Sequence, residues 1–277
     1  MKIVFVVLHY KIYSITKECI DYLLKQKYED ISVIVVDNCS DNGSVEMLKK
    51  EYNDKVYFVD IEDNVGFAKA NDLGYQIAKH KYGADCIVII NNDLFIEDKL
   101  FCSKLADIYQ EDKFDILGPD IINNSGKHQN PLSNCVIGES DLNRLIFKTR
   151  IKLALLPFFY CFKRVGDKEI DYNDFTFEKQ RGVPLHGSCL IFGTSFIRNN
   201  EYPFYPETFL YGEEDILYYR SMQSNKKVIF DPSLKVRHIE DASTDSISKN
   251  RKEKRSFQLR NSLHSLLILK KLMKKGK

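Results

Sequence analysis

Short apolar runs alternate with amphipathic stretches over the first 120 residues of the chain. The apolar runs are rich in β-branched residues and almost unbroken, which is typical of strands covered on both faces. They occupy residues 2–8, 31–36, 56–60, 86–90 and 115–118. The intervening stretches repeat apolar residues at helical spacing and occupy residues 16–26, 44–52, 67–82 and 98–109. This alternation predicts βαβ units and an α/β fold with a mostly parallel central sheet flanked by helices.

The alternation weakens between residues 123 and 181 and then resumes. Residues 123–126 read Asn-Asn-Ser-Gly and predict a turn, whereas residues 144–164 are apolar and basic without any acid. Further elements are expected at 182–192 (strand), 213–224 (helix), and 227–230 and 234–238 (short strands). A basic helical tail at 249–277 ends the sequence. We therefore divide the chain into residues 1–120, 121–248 and 249–277.

The composition is ordinary for a soluble globular protein, with 44% hydrophobic and 29% charged residues. The seven cysteines are odd in number, scattered and without a CxxC pair, which favours free thiols in a reducing cytosol over a disulfide framework or a zinc site. The longest apolar run, residues 153–162, is interrupted by Pro157 and has about half the length of a membrane span. The amino terminus lacks a signal-peptide cleavage site. A cytoplasmic protein is therefore expected.

Charge is distributed unevenly along the chain. There are 41 Lys and Arg against 39 Asp and Glu, but residues 249–277 carry +10 and residues 1–248 carry −8. The tail has a broad apolar face between residues 259 and 273, and its only aromatic residue is Phe257. This pattern favours an amphipathic helix on an anionic membrane over a nucleic acid partner. Residues 144–164 share this character and predict a second membrane contact, a buried hairpin or a homodimer interface.

Polar side chains follow four successive predicted strands at the point where each strand ends. They are His9 and Tyr10, then Asp37, then Asn64, and finally Asn91, Asn92 and Asp93. Each one alone is more often a turn residue, because loops favour Asn and Asp. However, the carboxyl ends of parallel strands meet at one edge of a sheet, where ligands bind in open α/β folds. The four strand ends together predict a ligand crevice.

Two of these positions have both a chemical and a plain structural interpretation. Asp93 would be held rigidly at the rim of the sheet, which suits a hard divalent cation bridging two phosphates, or it forms only an Asx turn. Asp37 could accept hydrogen bonds from a ribose or a base edge, or cap the following helix. Gly66 opens a helix whose amino-terminal amides suit an anion.

The motifs VVDNCSD, NVGFAKANDLG and a strand ending in NND together resemble the inverting family 2 glycosyltransferases of the GT-A fold. Over residues 2–240 their order is most similar to the bacterial rhamnosyltransferase-type enzymes of polysaccharide assembly. The resemblance implies a UDP- or dTDP-sugar donor bound by residues 1–120 and an acceptor bound by residues 121–248. It also implies Mg²⁺ or Mn²⁺ at the so-called DXD motif, which here reads Asn91-Asn92-Asp93 and lacks its first acid.

By the same resemblance, His9, Tyr10 and Asp37 would contact the nucleoside. The other donor-binding residues would be Asn64, Gly66, Asn71, Asn92, Asp93 and Gly187. Asp93 would hold the metal, and His238 would join it, because neutral imidazole is an acceptable ligand beside a carboxylate. His186 is the rival histidine.

Two later motifs complete the resemblance. Gly187 lies in the motif Leu-His-Gly-Ser-Cys-Leu. This motif is similar to the family's acceptor-side strand, in which a small residue leaves room for the sugar. A glycine in a strand can equally mark a β-bulge. Glu213-Glu214-Asp215 resembles the helix start that carries the catalytic base. Such a base typically contributes about 10²–10⁴ in rate, and mutual repulsion raises at least one pKa among three adjacent acids. Asp215 is narrowly favoured, with Glu214 close behind.

The predicted function is an inverting, metal-dependent glycosyltransferase. It would move rhamnose or a similar sugar to a hydroxyl of a lipid-linked glycan, as a peripheral protein at the inner face of the plasma membrane. The alternative is a catalytically inactive nucleotide-binding GT-A scaffold, which the incomplete Asn91-Asn92-Asp93 motif favours and the acids at 213–215 disfavour. A nucleotidyltransferase ranks last, because no glycine follows the first strand.

Overall fold

The computed structural model describes residues 1–132, 138–162, 177–239 and 251–275. Its strands are β1 (Ile3–His9), β2 (Ile31–Asp37), β3 (Tyr57–Asp60), β4 (Cys86–Asn91), β5 (Leu94–Phe95), β6 (Ile116–Asn123), β7 (Gln180–Arg181), β8 (Cys189–Phe192) and β9 (Val228–His238). Its helices are α1 (Tyr13–Leu23), α2 (Ser44–Tyr52), α3 (Gly66–His80), α4 (Phe101–Asp112), α5 (Glu139–Phe162), α6 (Thr194–Asn199), α7 (Glu213–Gln223) and α8 (Arg251–Lys275).

Each strand and helix predicted in the first 120 residues is present, with boundaries shifted by a few residues. The turn at 123–126 and the helix α7 are also confirmed, and residues 251–275 within the predicted tail form the helix α8. The two short strands expected at 227–230 and 234–238 form the single strand β9, whose pairing with β6 shifts register after Pro119. Residues 144–162 lie in α5 rather than in a hairpin, and residues 163–164 lie outside the described part of the chain.

The sheet is mixed, and the prediction of a mostly parallel sheet is wrong. Its strand order is β3-β2-β1-β4-β8-β6-β9-β5, with β7 also on β9. The pairs β3–β2, β2–β1, β1–β4 and β6–β9 are parallel, whereas β4–β8, β8–β6, β9–β5 and β9–β7 are antiparallel. In the middle of the sheet the cause is β8, which enters between β4 and β6 in the reverse direction, and the two-residue strands β5 and β7 add antiparallel pairs to β9. A short strand buried on both faces has the same apolar sequence in either direction, so its pattern does not reveal its orientation.

Alternate residues of the central strands are buried in two separate apolar layers. Phe5 and Val7 of β1 pack in the layer that contains residues of α1, α2 and α4. Val4 and Val6 pack on the opposite face, with residues of α3, α6 and α7. Both faces are therefore covered, which explains the unbroken apolar runs of the sequence.

Helix α8 buries its apolar side within the protein. Leu266 and Leu269 pack with Ile146 of α5 and Ile216 of α7 in a third apolar cluster. Among the large apolar side chains of α8, Leu267 alone is more than a third exposed, at 38%. The assignment of this apolar face to lipid is therefore corrected: most of it is occupied by protein. In the described part of the chain, no helix combines the length and apolarity needed to cross a bilayer.

The docking of α8 predicts unequal effects for two leucines of one helix. Leu269→Ala removes a side chain that is 1% exposed and should lower the free energy of unfolding by about 2–4 kcal/mol. Leu267→Ala, at 38% exposure, should change it by less than about 0.5 kcal/mol. Urea unfolding of both variants measures the difference, and equal small losses would show that α8 does not pack on the body of the protein.

Candidate active site

The carboxyl ends of the first four strands lie side by side at one edge of the sheet. His9 pairs with Asp37, Asp37 pairs with Asp60, and Leu8 pairs with Asn91 in the strand registers. The backbone N–H of Asn91 donates to the carbonyl of Ser188 over 2.9 Å. The structure thus brings the polar strand ends together and adds the segment before β8 to them.

His9 is held inside the protein rather than at the crevice surface. Its Nδ1 lies 2.6 Å from Thr16 Oγ1 and its Nε2 lies 2.8 Å from Ser44 Oγ, and the side chain is fully buried. Burial lowers the pKa of His9 to about 4, so the ring is neutral at physiological pH. Asn92 Nδ2 donates to the same Thr16 hydroxyl over 2.8 Å. His9 therefore orders the ends of β1 and β4 through Thr16.

The amino terminus of α3 is occupied by protein groups. Asn38 Oδ1 accepts a hydrogen bond from the N–H of Val65, and Asn64 Oδ1 accepts hydrogen bonds from the N–H of Gly66 and from Asn38 Nδ2. The carbonyl of Phe209 accepts the N–H of Phe67 over 2.6 Å. A Cβ at Gly66 would collide with Phe209. Contrary to expectation, these amides are not free for an anion, and Gly66 admits the approach of Phe209.

Three further predicted donor residues lie around this edge. Tyr10 is half-buried, with Lys11 Nζ 5.0 Å from its ring centroid. Asp37 is buried and accepts hydrogen bonds from the hydroxyl and the N–H of Ser40, and burial raises its pKa. Asn71 is fully buried within α3, where its Nδ2 donates to the carbonyl of Phe67 and its Oδ1 has no partner.

Asp93 and His238 face each other across the β5–β9 side of the site. His238 Nε2 lies 3.5 Å from Asp93 Oδ2, and His238 Nδ1 lies 2.7 Å from Gln129 Oε1. Because an amide oxygen can only accept, Nδ1 carries a proton, and Nε2 is the ring nitrogen that faces Asp93. Asp93 Oδ1 is buried and has no hydrogen-bond partner. These features fit a divalent cation: a free carboxylate oxygen, an imidazole of fixed tautomer and a hydrogen bond that orients it.

No group of three or more His, Cys, Asp or Glu side chains that could hold a metal occurs in the described ranges. The Asp93–His238 pair is therefore incomplete as a protein-only site. Mg²⁺ and Mn²⁺ sites of phosphate-binding enzymes commonly use one or two protein ligands together with substrate phosphates and water. The pair fits that donor set.

His186 connects this pair to the next strand. Its ring centroid lies 6.1 Å from that of His238. Its Nδ1 accepts the N–H of Ser188 over 3.2 Å and lies 2.8 Å from the Ser188 hydroxyl. The backbone N–H of His186 donates to Asn130 Oδ1. His186 is thus held as a neighbour of the metal candidates, and Gly187 follows it directly.

Glu214 lies against Gly187. A Cβ at Gly187 would be 3.5 Å from Glu214 Oε2, so the two predicted acceptor-side motifs are in contact. Apolar side chains, including Leu185 and Leu190, line a pocket beside Glu214. This burial, and then the charges of Asp215 and Glu213, raise the pKa of Glu214 to about 8.

The other two acids differ in their surroundings. Glu213 is 3% exposed, its Oε1 has no partner, and burial raises its pKa to about 7. Asp215 is half-buried. The helix dipole favours all three carboxylates in the first turn of α7, and the three atoms nearest to a Cβ at Gly187 all belong to Glu214.

The sequence analysis missed the residues that orient this site. They are Thr16, Ser44, Asn38, Gln129, Asn130, Ser188 and Phe209. Gln129 and Phe209 lie in segments without a strong periodic pattern, and each acts on a residue more than 100 positions away. No local signal in the sequence points to such pairs.

Helix α8 supports the segment that carries the acids. A Cβ at Gly212, the residue before Glu213, would lie 3.0 Å from the Cβ of Ser265 in α8. The φ of Gly212 is +87°, a left-handed value that favours glycine. The ring of Phe257 in α8 lies 6.2 Å from that of Phe209. The tail is therefore part of the scaffold of the site.

Known proteins share this fold and part of the sequence. S. aureus TarS (residues 1–349) in complex with UDP-GlcNAc superposes with a TM-score of 0.55 at 16% identity, over 87% of this chain and 59% of that one. GalNAc-T7 with UDP, GalNAc and Mn²⁺ superposes with a TM-score of 0.57 at 16% identity, over 86% of this chain and 44% of that one. At this identity the likeness shows the fold alone.

A relative in sequence is the glycosyltransferase GlyG of Streptococcus pneumoniae serotype 4 (strain ATCC BAA-334 / TIGR4). It is 26% identical over 103 residues, which are 36% of this chain and 33% of GlyG. The chain thus matches about a third of the length of that relative. The family model for glycosyl transferase family 2 matches residues 4–174, more than half of the chain. The chain belongs to glycosyl transferase family 2.

Proposed function

We propose that the protein is an inverting glycosyltransferase that uses a nucleotide-sugar donor and a divalent cation. The observation that carries this proposal is one continuous set of contacts. The Asp93–His238 pair neighbours His186, and the next residue, Gly187, is against Glu214. In this proposal the cation position and the base are linked through the two adjacent residues His186 and Gly187, which supports a single displacement at a sugar carbon.

Glu214 is the base in this proposal, which reverses the narrow sequence-based preference for Asp215. Glu214 faces the small residue expected to leave room for the sugar. Its raised pKa, about 8, also makes it a stronger proton acceptor than an ordinary carboxylate. It would take the proton of the acceptor hydroxyl while that oxygen attacks the anomeric carbon. The bond to the nucleoside diphosphate breaks on the opposite face, which inverts the configuration.

On the donor side, the carboxylate of Asp93 and Nε2 of His238 would hold Mg²⁺ or Mn²⁺. The bound cation would supply positive charge to the diphosphate leaving group. Gln129 fixes the tautomer of His238. Tyr10 and Asp37 remain proposed nucleoside contacts, and Asn64, Gly66 and Asn71 remain proposed to shape the pocket. His9, which contacts Thr16 and Ser44 inside the protein, is proposed to support this edge of the sheet rather than to touch the nucleoside.

The donor in this proposal is a UDP- or dTDP-sugar, and UDP is supported by the ligands of TarS and GalNAc-T7. The proposed acceptor is a hydroxyl of a lipid-linked saccharide used in surface polysaccharide synthesis. Rhamnose, the sugar suggested by the sequence resemblance, stays one candidate among hexoses. The non-catalytic scaffold alternative gains no support from the relatives.

A donor screen tests the activity itself. Thermal stabilisation and donor turnover would be measured across UDP-, GDP- and dTDP-sugars with Mn²⁺, followed by product analysis for the configuration at the anomeric carbon. We expect stabilisation and turnover with one nucleotide class and an inverted product. Stabilisation by a nucleotide without turnover of any donor sugar, under all acceptors tried, would instead support the scaffold alternative.

The assignment of the base predicts different effects for two neighbouring acids. Glu214→Gln keeps the shape of the side chain but cannot accept a proton, and should lower kcat by about 10²–10⁴. Its donor Kd should stay within about twofold, because the carboxylate is proposed to act on the acceptor. Asp215→Asn should lower kcat by less than about tenfold. In the wild type, kcat should rise with pH up to about 8.

The reverse ranking, with Asp215→Asn the inactive variant, would return the role to Asp215. Full activity of both variants, each folded as judged by circular dichroism, would show that neither Glu214 nor Asp215 is the general base.

Glu213 predicts a dependence of stability on pH. Its pKa in the folded protein, about 7, lies above the ordinary value of 4.5, so the folded state binds the proton more tightly. The resulting stabilisation is fully present below pH 4.5 and is lost as pH rises through 7. In the wild type, this group should lower the free energy of unfolding by about 2 kcal/mol between pH 5 and pH 8. The Glu213→Gln variant should lack this decrease. Glu111→Gln, at an exposed position, should leave that fall unchanged in urea unfolding.

The proposed cation site predicts that variants of its ligands bind UDP more weakly, which can be measured without turnover. Asp93→Asn and His238→Ala should each weaken Mn²⁺-dependent UDP binding by about 10–100-fold in isothermal titration. UDP binding in EDTA should change much less. His80→Ala is the matched control, because His80 is exposed and pairs only with Glu201 in the described structure. Wild-type Mn²⁺ dependence in both site variants would rule out this pair as ligands.

A further inference from the structure

Helix α5 has one buried and one exposed side. Leu142, Ile146 and Thr149 are buried, and the first two pack in the cluster shared with α7 and α8. The opposite side exposes three large apolar side chains: Phe147 at 65%, Ile151 at 41% and Leu155 at 40%. Leu145, at 38%, is exposed on the flank between the two sides. Exposed apolar residues are ordinary singly, but a contiguous set on one helix marks an interaction surface.

The same side of α5 is strongly basic. Lys148, Arg150 and Lys152 are exposed between the apolar residues and form no ion pair with any described residue. Arg144 is also exposed and lies 3.6 Å from Asp141, one turn earlier. From residue 142 to residue 164 the sequence contains no acid. The outer side of α5 therefore combines apolar area with uncompensated positive charge.

We infer that the outer side of α5, centred on Phe147 and Ile151, is the surface that binds the protein to an anionic lipid bilayer. This inference goes beyond the proposed function. Of the three interpretations that the sequence left open for residues 144–164, it selects the membrane contact, and it assigns that contact to α5 instead of to the leucines of α8. Basic side chains interleaved with apolar ones suit the interface of a lipid bilayer. There the apolar side chains enter the boundary of the acyl chains, and Lys and Arg reach the lipid phosphates.

The charge pattern favours lipid over a second copy of this chain. An isologous interface that places α5 against its own copy would bring Lys148, Arg150 and Lys152 toward the same residues of the partner, where like charges repel. An anionic bilayer instead provides the compensating charge. Helix α8 adds exposed Leu267, Lys271 and Lys274, whereas its buried side fixes α5 to the body of the protein.

The test is flotation of the full chain with vesicles of phosphatidylcholine, with and without 30% phosphatidylglycerol. The wild type should bind the anionic vesicles, and binding should weaken with salt because the interaction is screened. Lys148→Glu with Lys152→Glu should weaken binding roughly twentyfold or more, since each basic residue near such a surface contributes about fivefold. Phe147→Gln with Ile151→Gln should weaken it by about tenfold or more.

The matched control lies on α2, which packs in a different cluster. Met47 is 53% exposed and Lys50 is exposed three residues later. Met47→Gln with Lys50→Glu should bind vesicles like the wild type. UDP binding by every variant, measured without vesicles, reports on folding and on the donor site, so failure of the lipid result is distinguishable from failure of the proposed function.

Two outcomes would overturn the inference. One is vesicle binding by the α5 variants equal to that of the wild type. The other is a wild type that does not float and is dimeric by sedimentation, with α5 variants that are monomeric, because the occupant would then be a second copy of this chain.

Discussion

The antiparallel pairing of β8 with β4 is the contact on which the rest of the site depends. The segment that precedes a parallel strand lies at the opposite edge of the sheet from the segment that follows its neighbour. Because β8 runs in reverse, residues 186–188 arrive at the carboxyl end of β4, and the carbonyl of Ser188 accepts the N–H of Asn91. This reversal brings Gly187 and its contact Glu214 to the same edge as Asp93. A fully parallel sheet would have separated them.

The sequence reveals the elements of this fold better than their directions or long-range partners. β-branched runs and helical spacing located the strands around Val6 and Ile89 because burial on both faces dictates those residues. The reversed β8 has an equally apolar sequence. His9 and His238 each end a strand, but their surroundings differ. Thr16 and Ser44 contact both ring nitrogens of His9. Gln129 binds Nδ1 of His238, so that its Nε2 faces Asp93. These assignments depend on partners distant in sequence, which periodicity does not encode.

The carboxyl-terminal helix α8 has a different role in the structure from the one that its sequence predicts. Its leucines would pack as favourably in a membrane as in a groove of the protein, because both environments remove their apolar area from water. In the structure, Leu269 packs near Ile216 and Ser265 lies against Gly212, so α8 holds the backbone on both sides of Glu213 and Glu214. Its basic residues are left on the outside. The positive charge of the tail therefore lies on the outer side of a helix whose buried side positions the acids.

Burial of Glu214 has two opposing effects on a general base. Removing its carboxylate from water raises the pKa to about 8, which strengthens it as a proton acceptor. The same shift leaves only about a tenth of the molecules ionised at pH 7. A positioned base contributes about 10²–10⁴ in rate, so a tenfold loss of the ionised form still leaves a net gain. Glu213 shares the burial but is enclosed, with no described contact to Gly187. Its charge raises the pKa of Glu214 further, so the neighbouring acid tunes the base without taking its place.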